Sequence, residues 1–365
     1  PARLGRPRPA VEPVVNRPEA HTDPTPTGGA CPACGEPLVA GARFCESCGT
    51  PTGVGPGDAA GGVGGGTGGP PACANCGGEV GPDGYCTVCG HRAPEPVEVH
   101  AAGPAGWATH RGFRHHRNED AGGVARTAEG WPVLVVADGV SASPSPDEAS
   151  ATAVAAVVAA LGDRPLAGDG DLTAALEAAH AAVAELPNDQ DPHWPPDDTH
   201  PACTIAVAVA GPTVRVANVG DARAYLLAPA GDGWRATQLS RDDSVAADAV
   251  AQGIDLEVAL ALPGGHGITA WLGADAFDLD PHLASADAPA GALVLVCSDG
   301  LWNYAPTDEA MSALVTAELG PPRRPAGPLP AACERLVRWA LAQGGADNVT
   351  VALAPVGGTE LEENP

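Results

Sequence analysis

Trp131–Val140 reads WPVLVVADGV. A short apolar run, Val133 to Ala137, ends at Asp138-Gly139, the form of a buried strand that delivers one carboxylate to the edge of a sheet. An Asp-Gly pair after a strand is ordinarily a turn and nothing more. Recurrence weighs against that bland reading here. Leu293–Gly300, LVLVCSDG, repeats the form with Asp299-Gly300; Asp120 closes Asn118-Glu119-Asp120; and Asp347 stands in Gly345-Ala346-Asp347-Asn348, just before an apolar run at Val349–Ala352. Four carboxylates at strand ends, spread over more than two hundred residues, suggest a hard-cation site assembled by the fold.

Composition narrows the chemistry. The chain has 365 residues, long enough for two or three domains and a sizeable core. All 19 basic residues are arginine, which excludes a P-loop lysine, a kinase strand lysine and a Schiff base. Any phosphate must be held by arginine, backbone N–H groups or metal. A net charge of −26 opposes binding to nucleic acid or to an anionic membrane. The longest uncharged apolar stretch, Ala151–Leu161, is too short to span a bilayer. No signal peptide is visible, and the cytoplasm is the expected location.

The 11 cysteines divide cleanly. Cys203, Cys297 and Cys333 are isolated; the first two lie in apolar strand patterns, where a free cysteine acts as a small hydrophobe. The other eight form CxxC pairs. Cys31 and Cys34 are followed across ten residues by Cys45 and Cys48, and Cys73 and Cys76 across nine by Cys86 and Cys89. A glycine stands behind each pair, and the two units match. The spacing suits two closed tetrahedral four-thiolate sites, hence two structural Zn2+, rather than a disulfide framework. Such units resemble the double zinc ribbons at the ends of many prokaryotic regulatory proteins. Between Cys31 and Arg92, Arg43 and Arg92 stand against Glu36, Glu46, Asp58, Glu79 and Asp83. Without a basic stripe or stacking aromatics, a module for protein interaction or tethering is favoured over nucleic-acid binding.

In order, residues 1–29 carry seven prolines and read as a disordered tail. Ribbon 1 (30–50), a Gly-rich linker (51–71), ribbon 2 (72–92) and a second linker (93–104) follow. Residues 105–357 then read as one domain and 358–365 as a tail. Strand patterns fall at Trp107–Arg111, Val133–Ala137, Ala202–Ala210, Thr213–Val219, Ala222–Ala228, Trp234–Leu239, Ala292–Cys297 and Val349–Pro355. Helical patterns fall at Pro146–Leu161, Leu172–Leu186, Ser244–Gln252, Thr307–Leu319 and Pro330–Gln343; the last places Ala332, Leu336, Trp339 and Ala340 on one face. Strands that cluster while helices come in pairs predict layered α+β packing with antiparallel sheets, not a doubly wound parallel sheet. Residues 187–201, rich in Pro and Asp, read as a loop.

The order Arg-x-x-x-Asn-Glu-Asp, VVADGV, ANVGDARAY, LVCSDGL, GGADNVT is similar to that of the metal-dependent protein phosphatases, the PPM or type 2C family, over about residues 105–357. The resemblance implies a four-layer α-β-β-α sandwich and a metal-dependent Ser/Thr phosphatase of bacterial type, with two Mn2+ or Mg2+ at one end of the sheets. Carried over by position, Asp120 lies by the first metal, Asp138 bridges both, the Gly139 carbonyl joins the shell, and Asp299 and Asp347 bind the second metal. Carboxylate and carbonyl donors select such hard ions over zinc. The implied reaction is in-line hydrolysis of phosphoSer or phosphoThr by an activated water, without a covalent phospho-enzyme. The implied partners are phosphoproteins, a cognate bacterial Ser/Thr kinase and a protein that the ribbons dock; a monomer is expected.

Three positions depart from the family pattern. Where an arginine anchors phosphate five residues before the first Asp, this chain has His115, with Arg114 beside it and Arg117 beyond; Arg114 and His115 are the two candidates for that task. Val140 follows Gly139 where eukaryotic members have a histidine proposed as general acid. Asp197 and Asp198 lie near the position of a third-metal Asp but out of clean register. Asp221 and Arg223, in Asn218-Val-Gly-Asp-Ala-Arg, read as structural partners around a tight hairpin turn at Gly220-Asp221. His180 and His266, without companion ligands, also read as structural.

Overall fold

The computed structural model describes residues 72–358, apart from 74, 82–84, 91–92, 94, 188–198, 277–278 and 323–325. The expectations for the tail, for ribbon 1 with Cys31, Cys34, Cys45 and Cys48, and for Asp197 and Asp198 lie outside the described residues.

Two antiparallel sheets form the middle of the fold. The first has the order β1 (Glu98–Ala102), β2 (Ala105–His110), β12 (Val349–Pro355), β11 (Leu293–Cys297), β7 (Arg223–Ala230), β8 (Gly233–Gln238). The second runs β10 (His282–Asp287), β6 (Thr213–Val219), β5 (Ala202–Ala210), β4 (Pro132–Gly139), β3 (Asp120–Arg126), with the short β9 (Leu272–Gly273) also beside β5. The helices are α1 (Pro146–Leu161), α2 (Asp169–Ala184), α3 (Val245–Ala251), α4 (Leu256–Leu260), α5 (Asp299–Trp302), α6 (Asp308–Leu319) and α7 (Leu329–Gln343).

The strand β4 shows why the layers stack. Its residues alternate faces with period two. Val133, Val135 and Ala137 pack with Ala149, Ala153 and Val157 of α1 and Leu172 and Leu176 of α2. Leu134 and Val136 turn the other way, to a core between the sheets filled largely by small residues such as Ala206, Ala208, Ala224, Ala352 and Ala354. Beyond the first sheet, Met311 and Val315 of α6 and Leu336, Val337 and Ala340 of α7 close a third core with Leu295 and Val351. The result is the expected α-β-β-α sandwich. On α7 the buried face is completed by Cys333 and Val337, while the half-buried Trp339 meets Tyr304 edge-on at 6.3 Å.

The edge strand β8 is protected by its neighbouring helix. Its N–H groups at Trp234, Ala236 and Gln238 donate to Thr316 Oγ1, Ser312 Oγ and Asp308 Oδ1, at 2.9, 2.9 and 3.0 Å. Those acceptors recur every four residues along α6 and so lie on one helix face. They occupy donors that would otherwise template another strand.

Two expectations are corrected. Strand β3 is absent from the sequence reading because Gly122 and Gly123 weaken its strand signal. Gly122 is required by packing: a Cβ there would lie 2.5 Å from Trp107 Cε3. The Gly220-Asp221 turn is not a hairpin. Strand β6 pairs with β5 and β10, and β7 pairs with β11 and β8, so the turn carries the chain from one sheet to the other. Alternating strands joined by a tight turn look alike in sequence in either case.

Candidate active site

The four acids come from both sheets to the same end of the sandwich. Asp120 opens β3 directly opposite Asp138 near the end of β4. Asp299 follows β11 and opens α5; Asp347 stands just before β12, the antiparallel neighbour of β11. Side-chain bonds tie the two sheets here. Ser298 Oγ donates to Asp120 Oδ2 at 2.7 Å, and the Thr350 N–H donates to Ser298 Oγ at 2.9 Å. Asn348 accepts from the Glu119 N–H at 2.7 Å and donates to the Arg111 carbonyl at 2.7 Å. Ser298 and Asn348 therefore position Asp120 and its loop, roles not read from sequence; both sit beside acids already singled out, which was the available signal.

Backbone approach is close enough to require glycine at two points. A Cβ at Gly139 would lie 2.3 Å from the Pro146 carbonyl oxygen, where α1 begins, and one at Gly300 would lie 1.9 Å from the Asn348 carbonyl oxygen. The Asp-Gly pairs are thus not mere turns: each glycine lets the chain beside its aspartate pack against the next segment.

Crowding marks the electrostatics. Burial, with the charges of Asp299 and Asp347, pushes the Asp120 carboxyl up to about 7 against the opposing bond from Ser298. Burial and Asp347 push Asp299 up to about 7. Asp138 lies well above the usual range through burial and the charges of Asp120, Asp299, Asp221 and Asp347. Asp120 Oδ1 and Asp299 Oδ1 are buried without a hydrogen-bond partner. Bare buried carboxylate oxygens among mutually repelling acids are what a hard divalent ion would satisfy, and the donor set fits Mn2+ or Mg2+. Among the described residues, only the cysteines described below, and not these acids, gather three or more ligand atoms within 4.8 Å of one another.

Asp221 joins this group. It is buried, and its carboxyl is raised by burial and then by Asp299 and Asp242. The expected Asp221–Arg223 pairing is corrected: Arg223 makes a bidentate pair with Asp242, Nη2 to Oδ2 at 2.7 Å and Nε to Oδ1 at 3.0 Å, and stacks 3.7 Å over the Trp302 ring. Arg223 therefore has a structural role with Asp242 and Trp302 in place of the expected one with Asp221.

The basic loop before Asp120 is mostly engaged. Arg111 bonds Glu95 and the His115 carbonyl. Arg117 pairs with Glu119 at 3.2 Å. His115 Nε2 lies 3.0 Å from Asp347 Oδ1. Arg114 is exposed. His180 lies 3.5 Å from the Gly273 N–H, and His266 is exposed on the segment after α4.

In the cysteine unit, the ligand atoms of Cys73, Cys76, Cys86 and Cys89 all lie within 4.8 Å of one another. Sulfurs of Cys73 and Cys89 are 3.6 Å apart, and those of Cys76 and Cys86 are 3.4 Å apart. A tetrahedron with Zn–S near 2.3 Å has edges of about 3.8 Å. The knuckles repeat: Gly77 N–H donates to the Cys73 carbonyl at 2.8 Å and Gly90 N–H to the Cys86 carbonyl at 2.9 Å. A backbone bond from Gly78 works to lower the Cys76 thiol, yet hydrogen bonds among the four sulfurs push it up to about 12. A cation would invert that preference.

Residues 110–336 match the family model described as protein phosphatase 2C. The chain belongs to that family. The PstP serine/threonine protein phosphatase of Mycobacterium tuberculosis (strain H37Rv) is 31% identical over 247 residues, which is 67% of this chain and 43% of PstP, so less than half of that relative is matched. The Listeria monocytogenes (serovar 1/2a) serine/threonine phosphatase stp is 28% identical over 261 residues, 68% of this chain and 94% of stp. Among solved structures, the PPM Ser-Thr phosphatase MsPP from Mycobacterium smegmatis in complex with cacodylate is 28% identical, with TM-score 0.54, covering 69% of this chain and 97% of MsPP. The catalytic domain of PstP in complex with 2 manganese ions is 26% identical, with TM-score 0.53, covering 71% of this chain and 99% of that one. The family uses Mn2+ or Mg2+ ions, and metal dependence is general for it. No helix among the described residues is long and apolar enough to cross a membrane.

Proposed function

We propose that this protein is a metal-dependent phosphatase of phosphoserine and phosphothreonine in proteins. The observation that carries the reading is the convergence of Asp120, Asp138, Asp299 and Asp347 from two sheets, with buried carboxylate oxygens left bare. Asp120, Asp138 and the Gly139 carbonyl would hold one Mn2+ or Mg2+, and Asp299 and Asp347 would hold a second with Asp138 shared between them; the pair would supply a nucleophilic water near neutral pH and neutralise charge on the phosphoryl oxygens. Ser298 holds Asp120 in one orientation by its 2.7 Å hydrogen bond. Arg114, exposed and next in the chain to His115, binds the phosphate; His115 stays on Asp347.

The division into tail, two zinc ribbons, linkers and a catalytic domain belongs to this proposal, the domain read from residues 105–357 being extended back to include β1, which pairs with β2, with one structural Zn2+ on Cys31, Cys34, Cys45 and Cys48 and another on Cys73, Cys76, Cys86 and Cys89. The ribbons dock or tether a cytoplasmic, monomeric enzyme that opposes a bacterial-type Ser/Thr kinase.

The test is turnover of a phosphothreonine peptide with Mn2+ by wild type and Asp138→Asn. A neutral amide cannot bridge two cations, so the variant should lose at least ~100-fold, or ~2.7 kcal/mol of transition-state stabilisation. A purified variant that keeps more than about a tenth of the activity removes Asp138 from its role.

A further inference from the structure

Phe113 is left without a task by the reading above. The residue is 62% exposed although it immediately precedes Arg114 and His115. The ring is nevertheless held from behind. The Phe113 N–H donates to the Gly345 carbonyl at 2.7 Å. His110 meets the ring edge-on, with centroids 6.0 Å apart and planes at 74°. The ring covers Gly345 so closely that a Cβ there would lie 2.8 Å from Phe113 Cδ2. Gly345 is two residues from Asp347, and His115, two residues past Phe113, reaches Asp347 at 3.0 Å. A large apolar surface is thus fixed against the loop that carries one candidate metal ligand, with its other side open to water.

We infer that Phe113 is a specificity-determining residue, a platform for an apolar side chain flanking the phosphorylated residue of a peptide substrate. The inference deepens the phosphatase reading and rests on it. Location selects the occupant. Among the described residues, the remaining exposed large apolar side chains lie on the cysteine unit, β1, the α3–α4 segment and β10, and none of them adjoins Arg114 in the chain as Phe113 does. A contact on Phe113 is made by whatever chain carries the phosphate past Arg114. An aromatic already locked in place gives contact area with little ordering entropy lost on binding, so the surface favours affinity for an apolar partner. An open platform discriminates less than a closed pocket, where one methylene is worth about 10–200-fold, so the low end applies.

The experiment compares kcat/KM for phosphothreonine peptides with Leu or Ala at each of the two positions on either side, using the full chain with Mn2+. The Leu/Ala ratio cancels differences in folded or metal-loaded enzyme. Wild type should show a ratio of about tenfold at one flanking position. Phe113→Ala should bring it within about twofold, and Phe113→Leu should restore most of it. A wild-type ratio near one at all four positions, or a ratio unchanged in Phe113→Ala, overturns the inference. If no peptide is turned over, the phosphatase reading fails instead. The same ratio is then taken from dissociation constants by fluorescence anisotropy, where its presence or absence in Phe113→Ala decides the platform alone.

Discussion

The molecule builds two metal-type sites in opposite ways. The cysteine unit draws four soft donors from one short stretch, Cys73 to Cys89, around paired glycine knuckles, with sulfurs 3.4 and 3.6 Å apart. The acid centre draws hard donors from Asp120 to Asp347 and exists only where two sheets meet. The first is nearly complete in the local chain; the second is a property of the fold. Their electrostatics differ accordingly. Thiols crowd one another with little help from burial, whereas the carboxyls are raised first by burial and then by their neighbours' charges. The difference teaches how one chain would keep the two proposed metal chemistries apart, by donor softness and by how far the ligands come from in sequence.

The largest effect that can break this comparison is selective metal loss. Thiolate zinc resists mild chelation, whereas carboxylate-held Mn2+ or Mg2+ exchanges readily. Brief dialysis against a moderate chelator should abolish phosphatase activity while elemental analysis still finds about two zinc per chain, one for each four-thiolate unit. Mn2+ alone should then restore turnover. Recovery that needs zinc would erase the distinction between the sites.

A smaller effect sharpens it. Asp120 and Asp299 sit at about 7 in the metal-free fold, against about 3.9 in the unfolded chain. Between those values the folded chain holds protons that the unfolded chain releases, so stability falls as pH rises from about 4 to about 7 and is fullest below about 4. The acids titrate together, so the change from pH 5 to 7.5 is taken as roughly 2 kcal/mol, or roughly 4–8 °C in Tm for a domain of this size. Thermal melts in chelator should slope downward across that window, and excess Mn2+ should flatten them. A metal-free melt that rises with pH would show that the acids are not crowded.

How much of each site was legible follows from the same contrast. Cys73, Cys76, Cys86 and Cys89 are readable from spacing because neighbours in sequence are neighbours in space. Asp138 and Asp299 are readable because a buried run ending in Asp-Gly repeats, and the layered α+β fold because apolar runs of strand length cluster between helix pairs. Strand β3 was hidden by Gly122, which serves the Trp107 ring rather than strand propensity. The hairpin at Gly220-Asp221 was misread because strand pattern does not say which sheet a strand joins, and here β6 and β7 join different ones. Ser298 and Asn348 carry no signature of their own; only the 2.7 Å bonds across the sheets give them roles.

The finest test of the acid centre concerns the cation that meets the substrate. The basic loop offers Arg114 and His115, and the structure treats them differently. His115 is already placed 3.0 Å from Asp347 Oδ1, so turning to a phosphate would leave that oxygen only the Asn348 N–H at 2.8 Å. Arg114 is exposed, permanently charged, and presents a planar fork suited to two phosphate oxygens. Arg114→Ala should therefore raise KM for a phosphothreonine peptide by roughly tenfold, about 1.5 kcal/mol, the low end for a bond to a charged group because the side chain is open to solvent. His115→Ala should change KM less and kcat more, since it removes a partner of Asp347 rather than a contact to substrate. An arginine anchor keeps its charge, so wild-type KM should stay nearly level from about pH 6 to 8, whereas a histidine anchor would lose charge near pH ~6.5 and let KM climb. A KM that rises steeply over that range, with Arg114→Ala close to wild type, would transfer the phosphate contact to His115.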